Sequence, residues 1–266
     1  DIANLSAWQT AVGQDANSFE SDPDFINPNG SSSGVNLHIN PASATVIEGN
    51  GIDVAPNGYD DYDGALRDTL TPVDIGADAG KFIPLTKTLN LTMFIQGFYD
   101  SGTNVMVQDT VRVYFRNGSS PYAIVDSAKA YMSSSGTGTF TVSNISNGVP
   151  YYIQLKHRNS LETWSDSAKT FAGNSLTFNF TTAGSKAYGS NMPEIDASPL
   201  RFGIYSGDVN QEGNVDLSDI LLVNNDAGGF VTGYVKTDVN GDNITDLSDL
   251  IITYNNSADF VSVEKP

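Results

Sequence analysis

Oxygen-bearing side chains recur with one spacing in two stretches near the C-terminal end of the sequence. The stretches are "GDVNQEGNVDLSDILLVNN" from Gly207 and "TDVNGDNITDLSDLIITYNN" from Thr237. Counted from the first Asp of each stretch, these side chains fall at loop positions 1, 3, 5, 9 and 12. They are Asp208, Asn210, Glu212, Asp216 and Asp219 in the first loop, and Asp238, Asn240, Asp242, Asp246 and Asp249 in the second. Carboxylate and amide oxygens on alternate residues of a short loop are the ligands that a calcium ion prefers.

The other loop positions fit the same chemistry. Position 7 supplies a backbone carbonyl in an EF-hand loop, and here it is Asn214 or Ile244. Position 6 requires a sharp turn, which Gly213 provides in the first loop. Asn243 stands there in the second loop, and Asn tolerates the left-handed conformation better than most residues. The sequence therefore predicts two Ca²⁺ ions, one in each loop.

Two departures from the EF-hand pattern point to a narrower family. Position 12 is Asp rather than Glu, and no helical pattern precedes either loop. Tandem loop–helix halves of this kind resemble the dockerin type I module, over residues 207–266. The second loop departs from that family's pattern at Asn243 and at Thr245, where an apolar residue is usual. The resemblance implies two pseudo-symmetric loop–helix units that need calcium to fold.

The dockerin resemblance also implies a partner. Dockerins bind cohesin modules through the helix surface near loop positions 10 and 11. Those positions are Leu217, Ser218, Leu247 and Ser248. A cohesin-like or other extracellular protein is the implied partner, with copies of this chain as a second candidate and polysaccharide as a third.

Two alternatives remain open at the level of sequence. Asp216 and Ser218 are also good N-caps, so the loops could be acidic turns that begin helices without a metal. The apolar residues after each loop lie on one helix face, and that face could be an internal core rather than a docking surface. The residues are Leu217, Ile220, Leu221 and Val223, then Leu247, Leu250, Ile251 and Tyr254. In that case the module would be a calcium-stabilised structural unit packed on its neighbour.

The overall charge favours a cation as ligand. The 266 residues carry 13 basic and 31 acidic side chains, a formal net charge of −18. This excludes the basic surface that nucleic acids and anionic membranes require. No cysteine is present, so disulfides and thiolate metal sites are excluded, and no apolar run predicts membrane insertion. The richness in Asn, Ser, Thr, Gly and Tyr favours a bacterial protein that is secreted, extracellular or at the cell surface.

The remaining sequence divides into two further regions, and we expect a mainly β, multidomain fold. Residues 83–206 contain alternating segments separated by turn clusters, which predict an antiparallel β-sandwich. The segments are 88–98, 109–117, 122–132, 138–144, 150–158 and 175–182. The stretch "GVPYYIQLKHRN" resembles transthyretin-like or immunoglobulin-like modules. The aromatic residues of these strands favour core packing over a sugar-binding platform.

Residues 1–82 resemble the closing coils of secreted right-handed parallel β-helix proteins. The resemblance lies in "YDDYDGALRDTLTPVDIGADAG" at 59–80. A terminal coil alone cannot bury its face, so we expect more chain before it or a second chain over it. The acidic residues Asp60, Asp61, Asp63 and Asp68 favour a structural role, with Arg67 paired to a nearby Asp.

Catalysis has little support in the sequence. His38 and His157 are the two histidines, they lie in different regions, and no nucleophile elbow or phosphate loop is present. We therefore expect a non-catalytic calcium-binding structural or attachment protein. Two other hypotheses remain: the C-terminal part of a polysaccharide-degrading β-helix enzyme, and a self-assembling extracellular fibre subunit.

Overall fold

The computed structural model describes residues 4–14, 18, 20–51, 60–67 and 73–266. Two compact units divide the chain, Asp1–Thr86 and Lys87–Pro266. The described part is mainly β, with three α-helices. None of the helices in these residues is long and apolar enough to cross a bilayer.

The first unit has one helix and four short strands in its described residues. They are α1 Leu5–Val12, β1 Phe25–Asn27, β2 Asn36–Ile39, β3 Ala44–Thr45 and β4 Ile83–Pro84. Strands β1 and β2 pair antiparallel, and β3 and β4 pair parallel. The resemblance to a β-helix end stays a prediction, and part of its motif, including Asp68, lies outside the described residues.

The second unit contains twelve strands and two helices. The strands are β5 Lys87–Thr92, β6 Tyr99–Asp100, β7 Val105–Met106, β8 Thr110–Asn117, β9 Ile124–Tyr131, β10 Thr137–Val142, β11 Pro150–His157, β12 Ser160–Trp164, β13 Lys169–Thr170, β14 Ser175–Asn179, β15 Glu194–Ala197 and β16 Leu200–Phe202. The helices are α2 Leu217–Gly228 and α3 Leu247–Ala258. Short 3-10 turns occur at Gln96–Phe98, Gly184–Lys186 and Tyr188–Ser190.

Two sheets of this unit form a β-sandwich. One has the order β10-β5-β14, and the other has the order β12-β11-β8-β9 with β13 also paired to β11. Along β8, Val111, Val113 and Phe115 are buried and alternate with less buried residues, as expected for a strand with one face on a core. Leu89 of β5 and Phe140 of β10 belong to the same buried cluster. The six predicted segments of the sandwich each contain a strand, but the prediction of an entirely antiparallel sandwich is wrong, because β14 pairs parallel with β5.

The sequence analysis missed β12. Four of its five residues are buried, so "SLETW" has no apolar–polar alternation to reveal it. It follows β11 through a tight turn at Arg158 and Asn159 and pairs back onto β11. This turn carries the side chains that contact the second acidic loop.

The region that begins at Gly207 packs against the sandwich within the second unit. Leu161 of β12 forms a small buried cluster with Val215 and Val261. Gln96 and Asn256 also exchange a side-chain hydrogen bond, from Asn256 Nδ2 to Gln96 Oε1 at 2.7 Å. The three-region division at 82/83 and 206/207 stays a prediction, and the last two regions share one compact unit.

We expect the shared core of the sandwich to control the stability of the second unit. Phe115 is fully buried and its ring lies 5.5 Å from that of Phe171. Phe115→Ala should lower the free energy of unfolding by about 3–5 kcal/mol, because it removes a large buried side chain and leaves a cavity. Urea denaturation measures this loss. Tyr131→Ala, on the exposed side of β9, is the control and should change it by about 0.5 kcal/mol or less.

Candidate metal centre

Each acidic loop leads directly into a helix through the same hydrogen-bond pattern. Asp216 is the N-cap of α2, and Asp219 lies three residues on and accepts from the Asp216 backbone N–H at 3.0 Å. Asp246 and Asp249 repeat this capping box at the start of α3, at 2.8 Å. The predicted capping role of Asp216 is therefore present, and capping leaves part of its carboxylate exposed toward the loop.

The sharp turn expected at position 6 is present in both loops. Gly213 has a φ of 95° and Asn243 has a φ of 68°, both in the left-handed region. Glycine adopts this conformation without steric cost, and asparagine is among the residues that tolerate it best. The second loop therefore makes the same turn as the first despite its departure from the glycine pattern.

Asp208 at position 1 of the first loop is a buried carboxylate with one unpaired oxygen. Its side chain belongs to a residue that is 2% exposed. Oδ2 accepts from the Gly213 backbone N–H at 3.2 Å, whereas Oδ1 is buried and has no hydrogen-bond partner. Burial, followed by the neighbouring Asp219 carboxylate, raises the pKa of Asp208 to about 6. An unpaired buried carboxylate oxygen is costly, and a cation in the loop would satisfy it.

Further oxygens of the first loop lie close together. Ligand atoms of Glu212, Asp216 and Asp219 are all within 4.8 Å of one another. Asp219 is fully buried, and burial raises its pKa even though backbone N–H groups of Val209 and Asn210 donate to it. Three carboxylates at this separation repel each other unless a cation compensates their charge. These residues fit a hard cation with oxygen ligands.

The second loop repeats the backbone hydrogen bonds at position 12 of the first, but its carboxylates at positions 1 and 5 have different partners. Asp249 is fully buried and accepts from the backbone N–H groups of Val239 and Asn240 at 2.6 and 3.0 Å. Asp242 accepts from the Asn240 side chain at 3.0 Å. Among the described residues, the carboxylates of this loop form no group of three as close as that in the first loop. Asp238, at position 1, instead pairs with a basic side chain of the sandwich, described below.

The two loops are held by exchanged backbone pairing. The Val215 N–H donates to the Val261 carbonyl, and the Thr245 N–H donates to the Val231 carbonyl, both at 2.8 Å. Each loop is thus tied to the segment that follows the helix of the other loop. Asn214 and Ile244 sit at the centre of these bridges. The hydrogen bonds of this pairing are made by the residues on either side of Asn214 and Ile244. The carbonyls of Asn214 and Ile244 are therefore left free by this pairing for their predicted role at position 7.

The predicted partner-binding residues lie at the surface. Leu217 and Leu247 are each 65% exposed, so the alternative that places them in an internal core is wrong. Ser218 and Ser248 are also exposed, and Ser218 Oγ donates to Glu212 and Asp216 of its own loop. The buried face of α2 is formed by Val223 and Asp219 instead. The predicted single apolar face is therefore divided, with Val223 inward and a row of exposed apolar side chains outward.

The exposed row repeats on both helices. It consists of Leu217, Leu221 and Leu222 on α2 and of Leu247, Ile251 and Tyr254 on α3. Leu217 and Leu247 occupy equivalent positions of the repeat, as do Leu221 and Ile251, whereas Leu222 and Tyr254 do not match each other. Apolar residues exposed in corresponding positions of two repeats are typical of an interaction surface.

Sequence reasoning missed a buried network between the sandwich and the second loop. Asp109 accepts from His157 Nε2 at 3.1 Å, Arg158 Nε at 3.0 Å and the Tyr234 hydroxyl at 2.7 Å. Arg158 also donates to Asp238 Oδ2 at 3.2 Å and to the Val235 carbonyl. Only the run of basic residues at the end of β11 signals this network in the sequence.

His157 is a buried and hydrogen-bonded member of this network. Its Nδ1 lies 2.9 Å from the Ser160 hydroxyl, so Asp109, His157 and Ser160 are in the order of a catalytic triad. All three residues are buried, and burial lowers the pKa of His157. A substrate has no access to the Ser160 hydroxyl.

Among the described residues of the first unit Arg67 forms no ion pair, and its predicted pairing with an Asp carboxylate stays a prediction because Asp68 lies outside those residues. Arg67 donates to the backbone carbonyls of Asp60 and Asp74, at 3.3 and 3.4 Å, and to that of Gly76. Asp61 accepts from the backbone N–H groups of Asp63 and Ala65 and so stabilises its own turn. The structural role favoured for these residues agrees with these contacts.

His38 is part of a small cluster in this unit that the sequence analysis did not identify. Its Nε2 lies 2.7 Å from Asp63 Oδ2, and Asp78 completes a group of possible ligand atoms.

The aromatic residues considered as a sugar platform lie mainly in the core. Tyr151, Phe178 and Phe180 are buried. Tyr152 is partly buried and its ring meets those of Tyr122, Trp164 and Tyr188 edge to face. Core and cross-strand packing was the favoured interpretation, and it is confirmed for the three buried rings.

Comparisons with known proteins do not identify a family for this chain. No protein-family model matches the chain. No curated protein matches it either. One similar solved chain belongs to a type II cohesin–X-dockerin complex from Acetivibrio cellulolyticus, an N-terminal interface mutant, with a TM-score of 0.40 and 17% identity. The similarity covers 65% of this chain and 99% of that chain.

We expect Asp109 to hold the network together. Asp109→Ala leaves Arg158, His157 and Tyr234 without their shared acceptor and should cost about 3–5 kcal/mol in the free energy of unfolding. Burial raises the pKa of Asp109, but donors from His157 and Tyr234 outweigh it and hold this pKa well below its usual range. The contribution of the Asp109 carboxylate to the free energy of unfolding should therefore be complete above about pH 4 and decline in more acidic solution.

Urea denaturation of the unaltered chain and of the Asp109→Ala variant at a series of pH values measures this difference in the free energy of unfolding. Glu194→Ala, which removes an exposed carboxylate of β15, is the control and should leave the midpoint unchanged. An equal loss in Asp109→Ala and Glu194→Ala would contradict the assignment.

Proposed function

We propose that this protein is a non-catalytic, extracellular calcium-binding attachment protein of bacterial origin. Its two C-terminal loops each hold one Ca²⁺ ion in a dockerin-like module, and the exposed helix surface of that module docks to a protein partner. The observation that carries the proposal is the buried, unpaired Oδ1 of Asp208 in a loop of converging carboxylates.

The donor set of each loop is suited to calcium. Side-chain oxygens at positions 1, 3, 5, 9 and 12 and a carbonyl at position 7 would supply the six or more oxygen ligands that Ca²⁺ requires. When bound, the ion supplies two positive charges to four carboxylates. Asp208 and Asp219 would lose their mutual repulsion, so ion binding would contribute directly to folding. Millimolar extracellular calcium would be sufficient to fill sites of modest affinity.

Calcium removal tests the proposal directly. Calorimetric titration of the metal-stripped protein should detect two ions per chain. Limited proteolysis should cut the region after Gly207 in chelator and spare it with calcium, because unfilled loops leave like charges uncompensated. Asp208→Asn removes one charged ligand from a buried position and should abolish or strongly weaken one of the two binding events.

The control for this experiment is Asp100→Asn, which removes an exposed carboxylate at the end of β6, outside the loops, and should leave both binding events intact. Absence of calcium binding, together with equal cleavage in chelator and in calcium, would overturn the proposal.

The docking surface is the exposed apolar row that starts at Leu217 and Leu247. Leu217 and Leu221 occupy the same positions after the first loop as Leu247 and Ile251 after the second, so either half could present similar chemistry to a partner. A cohesin-like module is the partner that the resemblance implies. A charged residue at the centre of such an interface is strongly unfavourable, because it would be buried without a partner.

Binding of purified cohesin modules tests this surface. If one module binds the calcium-loaded chain, Leu217→Asp with Leu247→Asp should reduce its affinity at least tenfold. Leu200→Asp, an exposed leucine of β16, is the control and should leave it unchanged. Sedimentation of the chain alone should give a monomer. Concentration-dependent assembly that the double variant abolishes would instead assign this surface to copies of the chain and support a fibre subunit.

A further inference from the structure

The two loops differ at the first ligand of each. Asp208 and Asp238 occupy the same loop position, and both are buried. Asp208 Oδ1 has no partner. Asp238 has both oxygens paired, Oδ1 with the Gly241 N–H at 2.7 Å and Oδ2 with Arg158 Nη2 at 3.2 Å. A cation of the protein itself therefore lies at the second loop.

Arg158 is fixed in this place from several sides. Its side chain is 11% exposed, and Asp109 accepts from Nε at 3.0 Å. The guanidinium lies 4.4 Å from the ring centroid of Tyr234 and 5.3 Å from that of Phe98. A guanidinium held by a carboxylate and two aromatic rings does not easily move away when a metal ion arrives.

The first loop has no equivalent of this contact. The positive charge of Lys156 lowers the pKa of Asp208, but less than burial raises it. The Nζ atom of Lys156 is bound to the Glu162 carboxylate at 3.0 Å. Each loop carries four carboxylates, at positions 1, 5, 9 and 12. Before any metal binds, Asp238 of the second loop already has a basic ion-pair partner, which it shares with Asp109, and none of the carboxylates in the first loop has such a partner among the described ion pairs.

We propose that Arg158 makes the two loops unequal calcium sites. The first loop binds Ca²⁺ tightly and is disordered by calcium removal. The second loop keeps its folded form against the sandwich in the absence of metal, and it binds Ca²⁺ more weakly because the ion must share Asp238 with a fixed positive charge. This inference rests on the proposed function and adds that the two loops fill at different calcium concentrations.

A matched pair of variants separates the two sites without touching Arg158. Glu212→Ala and Asp242→Ala each remove the carboxylate at position 5, from the first and the second loop, and both residues are exposed. The Asp242→Ala chain, with the first loop intact, should bind one Ca²⁺ at least tenfold more tightly than the Glu212→Ala chain. Calorimetric titration with Ca²⁺ alone measures both affinities.

Arg158→Gln then tests the cause. In the Glu212→Ala background it should raise the affinity of the second loop at least about fivefold, because the competing charge is gone. In the Asp242→Ala background it should leave the first loop unchanged. Arg158→Lys keeps the positive charge and should keep the weak binding of Ca²⁺ by the second loop. If Arg158→Gln loses its near-ultraviolet circular dichroism, and so its fold, the affinity of Arg158→Lys decides the question instead.

Hydrogen exchange of the unaltered chain in chelator gives a second readout. The backbone amides of Gly241 and Asn243 should exchange at least tenfold more slowly than that of Gly213. Equal affinities in the two position-5 variants, or equal exchange in the two loops, would overturn the inference and leave the proposed function standing. Absence of calcium binding in every chain would overturn both.

Discussion

Buried carboxylates must be compensated by positive charge, and the second unit depends on how this is done. Asp109, Asp208, Asp219, Asp238 and Asp249 are all buried. Backbone N–H groups satisfy part of the requirement, at the capping boxes and at the turn positions of the loops. They do not remove the net negative charge, which a nearby cation compensates. Arg158 supplies one cation within the chain, shared by Asp109 and Asp238, and under the proposed function a calcium ion would supply one to the first loop.

This requirement explains why the acidic loops and the sandwich form one compact unit. The turn between β11 and β12 places Arg158 beside Asp109 and Asp238, and Asn159 Nδ2 donates to the Asp238 backbone carbonyl at 2.5 Å. The Asn159 carbonyl accepts from the Gly207 N–H at 2.7 Å, so the same turn contacts the start of both loops. A two-residue turn of the sandwich thus positions the acidic region, and the apolar cluster around Leu161 completes the contact.

The sequence predicted the local features of the loops and not their surroundings. Oxygen spacing and the turn residues Gly213 and Asn243 follow from local geometry, so they can be read directly from the chain. Alternation predicted the strands that have one polar face, and it failed for β12, which is buried on both. The ion pair of Arg158 with Asp238 joins residues 80 positions apart, and no periodicity encodes such a contact. The outward direction of Leu217 likewise depends on how α2 packs, which the sequence alone left open.

The exchanged pairing of the loops has a consequence for how the chain is made. Val215 of the first loop pairs with Val261, and the Val263 N–H donates to the Gly213 carbonyl at 2.9 Å. The first loop is therefore incomplete until synthesis has passed Val263, although its own acidic residues end at Asp219. The second loop has its partner, Val231, upstream and can close as soon as its own residues emerge. The order of closure during translation is thus the reverse of the order in the sequence.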